Sequence, residues 1–140
     1  MSFLAFAEKN WMLFATLVAS GAMLVWPLLS RRVAGGRELG TLGATQLINT
    51  KNALLLDVRE TKEIDGGKLP NAVHVPLSQL ANRRAELAKY VSRPVIAYCE
   101  RGQRARGATA LLAKLGFKDV YHLQGGFKAW KDAGLPVQKT

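Results

Sequence analysis

The chain has 140 residues, room for one domain of ordinary size with an appendage and too few for two full domains. Its formal net charge is +10, and residues 41–140 carry sixteen Lys/Arg against eight Asp/Glu, a balance that favours anionic small molecules, anionic headgroups or nucleic acid. One Cys excludes an intramolecular disulfide, and with two His and no Cys or His pair at ligand spacing the sequence argues against a structural zinc site.

The first predicted element is an apolar run without a charged residue, Trp11–Leu29. At 1.5 Å per residue it makes roughly 28 Å of helix, about the thickness of a bilayer's hydrocarbon core. Residues 1–30 therefore read as a membrane anchor. Trp11 and Trp26 lie near the ends of the run, where indoles prefer the headgroup level, and Pro27 falls in its last turn. Arg31, Arg32 and Arg37 follow the run against Glu38, whereas Glu8 and Lys9 precede it. That excess predicts a single-pass protein of the inner (cytoplasmic) membrane with its C-terminal domain in the cytoplasm. The competing reading is a cleaved signal peptide, since Val18-Ala19-Ser20 imitates a cleavage site. Against it, the preceding segment is not clearly positive and the apolar run continues past Ser20 into arginines. A buried core helix would be shorter and amphipathic.

A polar, glycine-rich linker is expected over 31–41 and a domain over 42–140. Within the domain, short apolar runs alternate with stretches at helical period. The spacing predicts a helix at 44–49, a buried strand at 53–56 ending at Asp57, and a strand at 72–75 closed by Pro76. It then gives a helix over 78–90 carrying Leu80, Leu87 and Tyr90, and a strand at 94–98 that delivers Cys99. A helix at 104–115 stopped by Gly116, a strand at 120–123, and a helix at 126–133 stopped by Gly134 complete the series. Such alternation predicts an α/β domain with a mostly parallel sheet covered on both faces.

The strongest chemical signal is the run from Val95 to Arg104, a buried strand passing through a short loop into a helix. Ligands of parallel sheets bind outside the carboxyl ends of strands, where Cys99 falls. Gly102 permits the loop to wrap, aiming backbone N–H groups and the following helix N-terminus at one point. Arg101 and Arg104 add positive charge, which favours a thiolate, a persulfide or a bound oxyanion. The bland alternative is a small buried hydrophobe at a strand end. Against it stand three arginines, Arg101, Arg104 and Arg106, near a helix N-terminus, where the dipole disfavours cations unless an anion offsets them.

These residues resemble the rhodanese, or sulfurtransferase, family. Cys99-Glu100-Arg101-Gly102-Gln103-Arg104 looks like the Cys-x-x-Gly-x-Arg active loop of its single-domain members. Leu56-Asp57-Val58-Arg59 is similar to the family's Asp-Val-Arg stretch, and Glu63 with 67–72 and 74–77 to its Gly-His-Ile-Pro-Gly-Ala…Ile-Pro segment. Leu123-Gln124-Gly125-Gly126-Phe127 with Trp130 resembles its closing signature. The resemblance covers about residues 42–138. It implies a doubly wound fold and a sulfurtransferase that needs no cofactor or metal. Cys99 would accept a sulfane sulfur from a small anionic donor such as thiosulfate, or from a persulfide or polysulfide, and pass it to a thiol or cyanide acceptor. By position, the amides of Glu100, Arg101, Gly102, Gln103 and Arg104 would cradle the sulfur. Arg104, with Arg101, would orient the donor, and Asp57 and Arg59 would fasten the loop. His74, without a visible partner, reads as a packed core histidine. The sequence departs from the family's pattern at Lys68, Asn71, Glu100 and Ala105.

Three other functions compete with this one. Phosphatases with related loops need Arg six positions after Cys, whereas Arg here stands two, five and seven positions after Cys99. A rhodanese-fold module with little turnover, docking a protein partner at the cytoplasmic membrane face, is the alternative from another class. Nucleic-acid binding is disfavoured because no aromatics interleave with the basic residues.

Overall fold

The computed structural model describes residues 2–34 and 36–139. Gly35, inside the expected linker, and Thr140, the end of the expected domain, lie outside the described residues, as do the side chains of Arg31 and Arg32. The chain divides into two units, Met1–Val33 and Ala34–Thr140.

The first unit holds two helices, α1 (Phe3–Lys9) and α2 (Trp11–Ala34). The Ser2 hydroxyl caps α1 by accepting the Ala5 amide at 3.3 Å, a helix start the sequence reading did not include. Phe14 on α2 meets the rings of Phe3 and Phe6 edge-on at 6.1 and 6.4 Å. Within α2, the run Trp11–Leu29 is long and apolar enough to cross a membrane, and none of it is buried by the rest of the protein.

The second unit is a five-stranded parallel sheet of β1 (Arg37–Leu39), β2 (Leu54–Asp57), β3 (Val73–His74), β4 (Val95–Tyr98) and β5 (Val120–Leu123). The spatial order is β1-β5-β4-β2-β3. Helices α3 (Thr41–Lys51), α4 (Arg84–Leu87), α5 (Gln103–Lys114) and α6 (Gly126–Asp132) cover it. Every residue of β2 and β4 is buried, as continuous apolar runs of a parallel sheet require. Because side chains alternate between faces, Leu54, Leu56, Val95 and Ala97 pack with Leu87 of α4 and Ala105, Ala108 and Leu112 of α5. Leu55, Ile96 and Tyr98 pack on the other face with Ala44 of α3 and Phe127 and Trp130 of α6. Two cores on one sheet cover both its faces, as the alternation predicts, and make the doubly wound α/β fold that the resemblance implies.

Two expected elements differ. The stretch read as a linker, 31–41, contains β1, which pairs with β5 through Arg37↔Tyr121 to Leu39↔Leu123. The helix expected over 78–90 is a chain of short turns around the four-residue α4. Leu80 and Leu87 are both buried as their spacing predicts. The backbone joining them makes i→i−3 bonds, Asn82 to Gln79 and Glu86 to Arg83, both at 3.1 Å.

Chain direction through the sheet positions the site. From β2 the chain steps outward to β3, then crosses back to β4 on the other side of β2. The reversal leaves a crevice at the carboxyl ends of β2 and β4, the customary ligand site of an open parallel sheet. Asp57 ends β2 there and Cys99 follows β4, with Asp57 and Tyr98 in register.

Candidate active site

Cys99 leaves β4 with only 1% of its surface exposed. Its loop closes on itself, so that the Gly102 amide donates to the Cys99 Sγ at 3.0 Å. Gly102 takes φ +99°, a left-handed conformation that suits glycine, and serves as the residue before α5 without a side-chain cap. The loop aims its own amide at sulfur instead. Among the described residues, Gly102 is the one member of the expected five-amide cradle that lies within hydrogen-bonding distance of Sγ.

The outer side of the loop is held by α6. The amides of Phe127 and Lys128 donate to the carbonyls of Cys99 and Glu100 at 2.8 and 3.1 Å. Gly126 permits this approach, because a Cβ there would lie 2.3 Å from the Cys99 carbonyl oxygen. The Leu-x-Gly-Gly segment of the closing signature is therefore a clamp on the Cys99 peptide.

Beneath the loop is a buried ionic hub. Arg59, 1% exposed, donates to Asp57 through its backbone N and Nε to Oδ1, both at 3.0 Å, and through Nη2 to Oδ2 at 2.8 Å. It also donates to the Gly67 carbonyl at 2.7 Å and, from Nη1, to Glu100 Oε2 at 3.1 Å. The Phe127 ring lies 4.3 Å from the guanidinium carbon. Burial by itself lowers the Arg59 pKa, but the hydrogen bond and charge of Asp57 and the bond to Glu100 outweigh it and hold the group above its usual value. Tyr98 donates to Asp57 Oδ2 at 2.8 Å, and burial followed by the Asp57 charge pushes its phenol upward. His74, expected to be a core histidine without a partner, is half-buried, with Nε2 at 2.7 Å from the Arg59 carbonyl oxygen. Asp57 and Arg59 thus join β2, the segment after it and the sulfur loop.

Glu63, Cys99, Glu100, Arg101, Gln103 and Arg104 line a cavity of about 620 Å³. The sequence reading placed five of these at the site and left Glu63 as a motif residue only. Both terminal guanidinium nitrogens of Arg104 are engaged by the Glu63 carboxylate, Nη1 donating to Oε1 at 2.6 Å and Nη2 to Oε2. This bond holds the Glu63 pKa below the ordinary carboxylate value and raises that of Arg104. Arg106 is engaged by Glu38 at 3.2 Å. Protein carboxylates therefore offset two of the three arginines for which the sequence called for an anion. Arg101 is exposed and, among the described residues, makes no ion pair. No local signal could have found the Glu63–Arg104 pair, whose members are 41 positions apart.

A parallel sheet with a cysteine loop at its switch point, closed by a glycine clamp, defines a class of fold, and the comparisons fit it. The family described as Rhodanese-like domain matches residues 43–133, so the chain belongs to the rhodanese-like domain family. A sulfurtransferase of Allochromatium vinosum is 37% identical over 92 residues, covering 66% of this chain and 84% of that protein. The thiosulfate sulfurtransferase GlpE of Actinobacillus succinogenes is 35% identical over 95 residues, 68% of this chain and 84% of the relative. The uncharacterized protein YqhL of Bacillus subtilis is 41% identical over 80 residues, 57% of this chain, and the chain spans 62% of its length. Among solved structures, a rhodanese-related protein of Thermoplasma volcanium superposes with a TM-score of 0.64 at 27% identity, covering 72% of this chain and 96% of that one.

Proposed function

We propose that this chain is a sulfurtransferase that carries sulfur as a persulfide on Cys99, tethered at the cytoplasmic face of a membrane. The observation that carries the reading is the Gly102 amide 3.0 Å from the Cys99 Sγ, in a loop that opens α5 and is clamped from behind by α6. Such a preorganised donor stabilises negative charge on sulfur without reorganisation during the reaction. With thiosulfate, the Cys99 thiolate attacks the outer sulfur, the S–S bond breaks, and sulfite leaves with its electron pair. The outer sulfur of the Cys99 persulfide is then taken by cyanide or by a thiolate, and the bonding pair returns to Cys99. Neither step needs a cofactor or metal. A persulfide or polysulfide donor would react in the same sense, releasing a thiolate or a shortened polysulfide.

Arg101 supplies the cation for an anionic donor in this reading, and Arg104 shapes the cavity wall through Glu63. Cyanide-dependent thiocyanate formation by the purified chain, lost in Cys99→Ser, tests the activity. A reporter fused after Thr140 that works only in the cytoplasm tests the placement, and a mature chain beginning near Gly21 would overturn the anchor. The second reading, a module of little turnover that binds a protein partner, draws on the pairing of Arg104 with Glu63 and on the Glu100 carboxylate at the cavity wall. Absence of both thiocyanate and sulfur on Cys99 would favour it.

A further inference from the structure

The charge of the second unit is distributed unevenly along the strand direction. All ladders are parallel, so every strand begins at one end of the sheet and finishes at the other. The finishing end, which holds Cys99, is close to neutral: Asp57, Glu60, Glu63, Asp65 and Glu100, in or after β2 and β4, stand among Arg59, Lys62, Arg101, Arg104 and Arg106. The starting end is basic. There Arg37 opens β1 and pairs with Asp119 at 3.5 Å, and the Val95 amide donates to the Asp119 carbonyl at 3.0 Å. Next to them, the Leu54 amide donates to the Pro94 carbonyl at 2.8 Å, and Arg93 Nε donates to the Asn52 carbonyl at 2.8 Å. Arg37, Lys118, Arg93 and Lys51 thus form a row across four strands, joined by Lys114 at the end of α5. Asp119 is the carboxylate among them. Lys51, Lys114 and Lys118 are exposed and make no ion pair among the described residues. Beside the row, Arg84 and Lys114 flank a cavity of about 360 Å³ that is also lined by Leu87, Val91 and Phe117.

We infer that this strand-start edge is a docking surface for anionic phospholipid headgroups, and that docking turns the Cys99 mouth away from the bilayer. The inference rests on the proposal that Trp11–Leu29 spans a membrane. Charge complementarity is the first argument: a cluster of lysines and arginines next to a span is drawn to an anionic leaflet, within a Debye length of about 10 Å at ordinary salt. The second is proximity in sequence: Arg37 follows Leu29 by eight residues, which keep its charge within about 29 Å of the end of the span even when fully extended. Since α5 runs for 12 residues, about 18 Å, from Gln103 beside the loop to Lys114 at the edge, the docked domain presents Cys99 to partners in the aqueous phase.

The test uses the full chain in lipid nanodiscs of phosphatidylcholine alone or with added phosphatidylglycerol, with acceptor-labelled headgroups. A donor dye is placed at the edge by Lys118→Cys or at the mouth by Arg101→Cys, each in a Cys99→Ser background. Energy transfer from position 118 should exceed that from position 101 and rise with phosphatidylglycerol. The rise should be lost at about 1 M salt, where screening is nearly complete, and lost when Lys51, Lys114 and Arg93 are changed together to Glu. Equal transfer from both positions, or no response to phosphatidylglycerol, overturns the docking while leaving the anchor intact. A chain that fails to enter the discs at all overturns anchor and docking together. Duplex DNA binding to the disc-bound chain without any lipid response would reassign the edge to nucleic acid.

Discussion

Arg59 Nη1 lies 3.1 Å from Glu100 Oε2, so a guanidinium buried beneath the Cys99 loop holds the carboxylate next to the cysteine. In the sequence, Glu100 stands only as a departure from the family's pattern within the active loop. The structure gives it to Arg59, whose other charge partner is the buried Asp57. Its side chain is nonetheless 44% exposed and lines the cavity, where it would meet the proposed dianionic donor. In Glu100→Gln the KM for thiosulfate should fall a few-fold, since one unit charge several ångströms away in exposed surroundings is worth about 1 kcal/mol. Steady-state kinetics at rising salt should show the gain shrinking. Impaired turnover in this variant would instead make the carboxylate a productive contact and favour a cationic or protein-borne sulfur partner.

Glu63→Gln should release Arg104 from its bidentate partner and also lower the KM for thiosulfate, with the larger effect expected at low salt. The same pair gives stability a pH dependence. Because the Glu63 pKa is lower in the folded chain than its ordinary value, the pair's contribution is present above the unfolded carboxylate range, near pH 4.3, and is lost as pH falls through the folded value. The difference in Tm between wild type and Glu63→Gln should therefore be positive at pH 7 and vanish on acidification. Both side chains are about one third exposed, so the difference should be small.

Gly126→Ala should destabilise the domain. The new Cβ would meet the Cys99 carbonyl at 2.3 Å in a residue whose φ is +61°. The backbone conformation alone costs about 1–2 kcal/mol, and displacing the peptide adds to it. In a domain of about 100 residues that lowers Tm by more than about 5 °C. Sulfur transfer should fall further than stability, because the displaced peptide belongs to Cys99, the proposed sulfur carrier, and a variant with wild-type turnover would show that the clamp plays no part in catalysis.

The elements with strong apolar periods were legible in the sequence, and β5 falls where the spacing puts it. The edge strand β1 was not, because Arg37-Glu38-Leu39 has no apolar run and becomes a strand through pairing with β5, where the Gln124 amide reaches the Leu39 carbonyl at 2.8 Å. The turns around α4 were hidden for another reason. Leu80 and Leu87 keep helical spacing, while Ser78 and Asn82 tolerate the turn conformations that replace the helix. At the site, Cys99, Gly102 and the arginines were legible because they form one local motif. Glu63 on Arg104 and Arg59 on Glu100 were not, since each contact joins residues 41 apart that the β2–β4 register brings together.

Intact-protein mass spectrometry of the full chain after incubation with thiosulfate is the most direct measurement of the central claim. The account predicts one added sulfur atom located on Cys99, removed by cyanide with release of thiocyanate and absent from Cys99→Ser. A chain whose Cys99 gains no sulfur from thiosulfate or from a persulfide donor, or whose Cys99→Ser variant gains as much as the wild type, would contradict it.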